Sequence, residues 1–203
     1  MSQLLAIHPS HPQQRLIERA SEIIRAGGIA VYPTDTTYAI GCHMGDKTAL
    51  DRIRQIRQLD DRHHFTIACR DLSEIALYAR VDNPSFRLLK QLTPGPYTFL
   101  LPATREAPRR LVHPKRRTIG LRVPDHPILK ALLATLGEPI MTTTLQLPGE
   151  GLPESDPALI RDRLGRQVDV IIDGGACGLE PTTIIDLTTA PPILVRPGLG
   201  AFP

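Results

Sequence analysis

Apolar residues recur at helical spacing between Gln13 and Ala26: Leu16, Ile17, Ala20, Ile23 and Ile24 fall on one face, and Gly27–Gly28 ends the run. The short β-branched stretch Ile29–Tyr32 predicts a strand, followed by the polar loop Pro33-Thr-Asp-Thr-Thr37. Asp46 is placed to cap a second helix, with Ala49, Leu50, Ile53 and Ile56 inside and Arg52, Arg54 and Arg57 elsewhere on its surface. Phe65–Cys69 predicts a strand, and Asp71-Leu-Ser-Glu74 has the spacing of a capping box opening a short helix. Pro84–Leu92 predicts a helix, and Tyr97–Leu101 a strand after the turn Pro94-Gly95-Pro96. Thr118–Val123 predicts a strand, Ile128–Leu136 a helix ended by Gly137, and Ile140–Leu145 a threonine-rich strand. Asp156-Pro157 starts a further helix with Pro at its first position; Val168–Ile172, Ile184–Leu187 and Ile193–Arg196 predict strands.

Helices and strands alternate irregularly and the chain ends strand-rich. This implies an α/β (α+β) protein with a mixed parallel and antiparallel sheet flanked by helices, not a regular βαβ array. The 203 residues suffice for one large domain or two small ones. No internal repeat or linker-like stretch divides them, so a single domain over 1–203 is expected, with Leu147–Asp156 as a surface loop.

Composition adds a location to this picture. No apolar run approaches the ~18 residues of a membrane span, and Met1–Gln14 has no apolar core of a secretory signal. Cys42, Cys69 and Cys177 cannot pair fully and show no metal-ligand spacing, which reads as reduced thiols in the cytoplasm. The net charge of +3 conceals a segregation. From Arg105 to Arg122, seven basic residues face the single acid Glu106, a net +6, leaving −3 for the rest. Arg109, Arg110, Lys115, Arg116, Arg117 and Arg122 are therefore candidates for an anion or RNA patch, the alternative being a solvated loop. Of the 24 basic residues 20 are Arg, a bias that suits bidentate contacts to phosphate and carboxylate and that genome composition also produces.

Several chemistries lack their motifs. There is no GxGxxG or GxxxxGK[ST], no GxSxG, and no HExxH; His63 and His64 are adjacent, so on a strand their rings point apart. A dedicated protein metal site is not expected. Short polar patches at strand ends stand out instead: Tyr32-Pro-Thr-Asp-Thr-Thr-Tyr38, Met141-Thr-Thr-Thr-Leu-Gln146, Pro181-Thr-Thr-Ile-Ile-Asp-Leu187 and Leu194-Val-Arg-Pro-Gly198. Each alone also reads as turn chemistry or β-propensity.

In this order, and together with Pro94-Gly-Pro-Tyr-Thr-Phe99 and Gly120-Leu-Arg-Val-Pro-Asp-His-Pro127, these segments resemble the YrdC/YciO family over about residues 10 to 200. Arg54-Gln-Ile-Arg-Gln-Leu59, Cys69-Arg-Asp-Leu-Ser-Glu74 and Lys115-Arg-Arg-Thr-Ile-Gly120 look most like the YciO branch. The resemblance implies a twisted mixed sheet around a basic concave cavity. It also implies threonylcarbamoyl-AMP synthase chemistry: L-threonine, bicarbonate and ATP condense, pyrophosphate leaves, and the product feeds a tRNA modification. ATP is then a substrate, and Mg²⁺ comes with it. By position, Arg57 becomes the catalytic cation, Thr34, Thr36 and Thr142 hold the amino acid, and Thr144, Thr182 and Arg196 contact the nucleotide. The family's Lys-x-Arg motif falls on Arg57-Gln58-Leu59, its Ser-x-Asn motif on Thr144-Leu145-Gln146, and a frequent His on Ala68. These departures predict a pocket that persists with weak, altered or absent synthase activity, and leave Arg54 or Arg62 as replacement cations. The alternative is a non-catalytic protein of the same fold that binds nucleotide, double-stranded RNA or tRNA.

Overall fold

The computed structural model describes residues 2–60 and 63–202. Arg62 lies outside the described residues. In chain order the elements are β1 (Gln3–Ala6), α1 (Gln14–Arg25), β2 (Ala30–Pro33), β3 (Tyr38–His43), α2 (Lys47–Arg57), β4 (Thr66–Ala68), α3 (Leu72–Tyr78), α4 (Asn83–Leu92), β5 (Tyr97–Pro102), β6 (Thr118–Arg122), α5 (Pro127–Leu136), β7 (Ile140–Thr144), α6 (Pro157–Leu164), β8 (Val170–Asp173), β9 (Thr183–Asp186) and β10 (Ile193–Arg196). The strands form one sheet in the order β1-β8-β2-β3-β7-β4-β6-β5-β9-β10. The pairs β1/β8, β8/β2, β4/β6 and β5/β9 are parallel and the others antiparallel. The sheet is mixed, as the irregular alternation implied.

The helix ends follow from local chemistry. Asp46 accepts the N–H of Ala49 at 2.9 Å, and Asp71 accepts those of Ser73 and Glu74 at 2.9 and 3.0 Å. Glu74 reaches back to the N–H of Arg70 at 2.7 Å, closing the capping box one residue earlier than the motif's usual partner. Asp82 and Asp156 cap α4 and α6, and Gly137 ends α5 at φ 71°.

Two strands are absent from the sequence-based expectation. β1 is an edge strand in which only Leu5 is buried, so no alternation announces it. β3 is central and buried on both faces, so it shows no polar alternation, and Ala39 and Gly41 interrupt its strand formers Tyr38 and Ile40. Its Gly41 is required by packing: a Cβ there would stand 2.5 Å from the Tyr32 hydroxyl and 2.6 Å from the Met141 carbonyl.

Strand alternation sends two sets of side chains to opposite faces. On one face Val31, Tyr38, Ile40, Ile67, Phe99, Leu121 and Met141 form the larger core with Ile53 of α2, Ile75 of α3, Leu89 of α4 and Ile160 of α6. On the other face Ala30, Tyr32, Val170 and Ile172 pack against Ile17, Ala20 and Ile24 of α1 and Ile128 and Leu132 of α5. This second layer covers the β1, β8 and β2 side. Further along the same face the register sets Thr66 beside both Gly120 and Thr142, and Thr98 beside Ile184. A buried ion pair between Arg122 of β6 and Asp35, in the loop after β2, crosses this boundary; the two side chains are 8% and 9% exposed.

Two stability measurements test this arrangement. Gly41→Ala should cost about 1–3 kcal/mol in urea unfolding, because the new methyl meets backbone and a fixed phenol. Asp35→Ala should cost roughly 3–5 kcal/mol by leaving Arg122 buried and unpaired, and the double change Asp35→Ala with Arg122→Met should recover much of that loss.

Candidate functional site

The uncovered part of the second face floors a cavity of about 350 Å³, lined by Thr37, Ala39, His63, His64, Thr66, Thr98, Arg122, Thr142, Thr143, Thr144, Thr182, Ile184 and Arg196. A second lobe of about 240 Å³ shares His63, Thr143, Thr144 and Arg196 with it, and adds Arg57, Gln146 and an apolar rim of Leu152, Pro153, Leu179 and Pro181. Among the described residues neither lining contains an Asp or Glu. The combination of many hydroxyls and fixed guanidinium groups makes a site for an anionic, hydrogen-bonding ligand.

The hydroxyls are held before any ligand arrives. Tyr32 donates its O–H to Thr142 at 2.8 Å, and burial raises the Tyr32 pKa, so the phenol stays protonated. Thr98 and Thr182 share a hydrogen bond at 3.0 Å. Arg196 donates to the Thr182 carbonyl at 2.8 Å and lies 3.3 Å from its hydroxyl. Arg57, the last residue of α2, donates from Nε to the Gln146 carbonyl at 2.7 Å and from a terminal nitrogen to Thr143 Oγ1 at 3.1 Å. Burial lowers the pKa of both Arg57 and Arg196, yet a guanidinium remains charged under ordinary conditions.

The expected site residues are only partly brought together. Arg57, Thr142, Thr144, Thr182 and Arg196 line the cleft. Thr34 and Thr36 do not. The Thr34 hydroxyl donates to the Thr37 carbonyl at 2.7 Å and accepts the N–H of Thr36 at 3.2 Å, so this pair builds the buried turn that delivers Thr37 instead. Arg122 is a second correction. It is buried against Asp35 and lines the cavity, so it does not belong to the surface patch, because β-strand alternation turns it inward. The other five, Arg109, Arg110, Lys115, Arg116 and Arg117, are exposed.

The altered motif positions also have definite places. Leu59 packs against the larger core, an apolar contact in place of a cation. Arg54 stands 3.6 Å from Asp51 and 5.7 Å over the Phe65 ring, and lines neither lobe. It does not replace the missing charge.

His63 and His64 belong to the cleft, though their spacing argued only against a metal site. They sit in an irregular segment before β4 rather than on a strand, and both line the larger lobe. His63 stands 3.1 Å from Thr143 Oγ1 and meets Phe65 edge-on at 5.2 Å. His64 lies 4.6 Å from the His113 ring. His113 Nδ1 in turn accepts the N–H groups of Lys115 and Arg116 at 3.2 and 3.0 Å, so the basic turn borders the cavity mouth. Burial and the Arg57 charge push the His63 pKa down to about 4; burial and His113 lower that of His64. The sequence analysis singles out neither Thr66 nor His63 as a cavity residue, and Thr98 enters it only within the segment Pro94–Phe99.

Known proteins share this architecture. The YciO protein of Escherichia coli K12 is 58% identical over 200 residues, covering 98% of this chain and 97% of that one. Its crystal structure superposes with a TM-score of 0.95 over 99% of this chain and 98% of the other. A threonylcarbamoyl-AMP synthase of Pyrococcus abyssi is 31% identical over 185 residues, 90% of this chain and 54% of that protein. The structure of P. abyssi Sua5 complexed with L-threonine matches at TM-score 0.88 and 26% identity, over 96% of this chain and 57% of the other. The family model Sua5/YciO/YrdC, described as "Telomere recombination", matches residues 22–198. With that span of match and these relatives, the chain belongs to the Sua5/YciO/YrdC family and is related to the threonylcarbamoyl-AMP synthases.

Proposed function

We propose that this protein forms L-threonylcarbamoyladenylate from L-threonine, bicarbonate and ATP, releasing pyrophosphate and water. The observation that carries the reading is the two-lobed cleft itself: a hydroxyl-rich lobe with Arg122 joined to a smaller lobe with Arg57 and an apolar rim, both sharing Arg196. The first suits a small zwitterion and bicarbonate. The second suits a phosphate with a nucleoside against Leu152 and Leu179. A relative of the same fold bears L-threonine in its structure.

The chemistry asks for alignment and charge. The carbamate of threonine attacks the α-phosphorus of ATP, and pyrophosphate leaves. Arg57 and Arg196 meet the negative charge that grows on the phosphoryl oxygens, from positions already fixed by Gln146, Thr143 and Thr182. Holding three reactants in one cleft supplies much of the rest. Among the described residues no cluster of three His, Cys, Asp or Glu is placed to hold a metal ion; Mg²⁺ would be held mainly by the triphosphate and would offset its charge. With Leu59 in the core, one charge-assisted contact is absent, so nucleotide affinity is lower than two cations would give.

Incubation with L-threonine, bicarbonate, ATP and Mg²⁺ should release pyrophosphate and yield the adenylate by mass spectrometry; background levels of both would sink the reading. Arg196→Ala should raise the KM for ATP by on the order of 10–100-fold, as expected for losing a charged hydrogen bond of roughly 1.5–3 kcal/mol.

A second reading rests on a separate observation. Arg109, Arg110, Lys115, Arg116 and Arg117 are exposed, and none forms an ion pair with a described acidic residue. Such a group fits the phosphates of a duplex RNA or tRNA. Binding should weaken steeply as salt rises, and Arg116→Glu with Arg117→Glu should flatten the salt slope without changing the melting temperature. Salt-independent binding in a filter or anisotropy titration would count against it.

A further inference from the structure

Making a carbamate from an amino acid and bicarbonate liberates one proton. The α-ammonium must first lose a proton so that its lone pair is free. The nitrogen then bonds to the bicarbonate carbon and gives up a second proton, and the carbon–hydroxyl bond breaks, the hydroxyl leaving with that proton as water. The first proton needs an acceptor at the site.

The linings of the two lobes hold very few acceptors. Among the described residues they contain no carboxylate, and the arginines stay protonated. Of the described lining residues, His63 and His64 remain as titratable bases. His64 lines one lobe alone and lies against the tilted ring of His113. His63 lines both, where an amino acid in one would meet a nucleotide in the other. Its ring is oriented by Thr143 Oγ1, which itself takes an N–H from Arg57, and by the edge-on contact with Phe65.

We propose that His63 accepts the proton of the substrate α-ammonium, an assignment that rests on the synthase reading above. The charges around the ring make this dependent on substrate. In the unliganded protein burial, Arg57, His64 and Arg54 disfavour the protonated ring, and Asp60 opposes them. Bicarbonate and the triphosphate bring negative charge to the same cleft and shift the balance toward imidazolium. The ring becomes an effective base only when the anionic substrates are in place, so the amine is activated where its carbamate can be adenylated.

The test compares His63→Gln and His63→Ala with the wild type in the adenylate-forming assay across pH, with melting temperature as the folding check. His63→Gln should lower kcat by on the order of 10²-fold, the scale of general-base catalysis, and leave the three KM values little changed. Its residual rate should climb about tenfold per pH unit below the amine pKa as free amine accumulates. Free imidazole should partly restore His63→Ala. A His63→Gln protein with the wild-type kcat and pH profile overturns the proposal alone. So does a folded His63 variant whose loss neither alkaline pH nor imidazole relieves, which is the mark of a structural role. A wild type that makes no adenylate overturns the synthase reading, and the proposal with it.

Discussion

The site depends on one constraint of β-structure: side chains alternate across a sheet, and a face left without a covering layer must be made of residues that tolerate water or ligand. Here α1 and α5 cover the second face over β1, β8 and β2 and as far as Ala39 of β3, Ile140 of β7 and Ala68 of β4. Beyond them the in-register neighbours Thr66, Gly120 and Thr142, from three adjacent strands, cannot be apolar and bulky without filling the cavity. An added Cβ at Gly120 would meet only ordinary contacts, at 3.4 Å and beyond, with Thr66, Leu100 and Thr98. Glycine at that position keeps the floor low rather than relieving strain.

The polar groups of that floor are held by one another. Tyr32 to Thr142, Thr98 to Thr182, Arg196 to Thr182 and Arg57 to Thr143 are fixed contacts between residues far apart in sequence. A ligand then meets groups whose orientation entropy is already lost, which is the physical sense of preorganisation. Buried atoms without a partner, Asp35 Oδ2 and Arg122 Nε, sit at the edge of this network. Arg122 therefore enters the cavity lining with donor capacity to spare.

Helix positions were legible where caps and periodicity are local: Asp46, Asp71, Asp156 and Gly137 end or begin helices as their types require. β1 and β3 were not, because a short edge strand and a strand buried on both faces and interrupted by Ala39 and Gly41 carry little pattern of their own. In the site, Arg57, Thr142, Thr144, Thr182 and Arg196 were legible through ordered motifs. Thr34 and Thr36 lie outside the cleft lining: a polar turn and a binding loop share the same residue types, and here the Thr34 hydroxyl is bonded to Thr36 and Thr37 within the turn. Arg122 was counted with its charged neighbours in the chain, although the strand that follows the basic turn rotates it to the other environment.

The amino-acid sequence by itself determined the helices, most strands, the mixed sheet and the concentration of positive charge between Arg105 and Arg122. These follow from periodicity, capping chemistry and charge, all of which act over a few residues. Only the tertiary structure decided which threonines face the cleft, that Arg54 lines neither lobe, that Leu59 joins the core, and that His63 stands between the lobes. Those outcomes depend on strand register and on which half of a sheet the helices cover, and such long-range pairings leave no mark in any short stretch of chain.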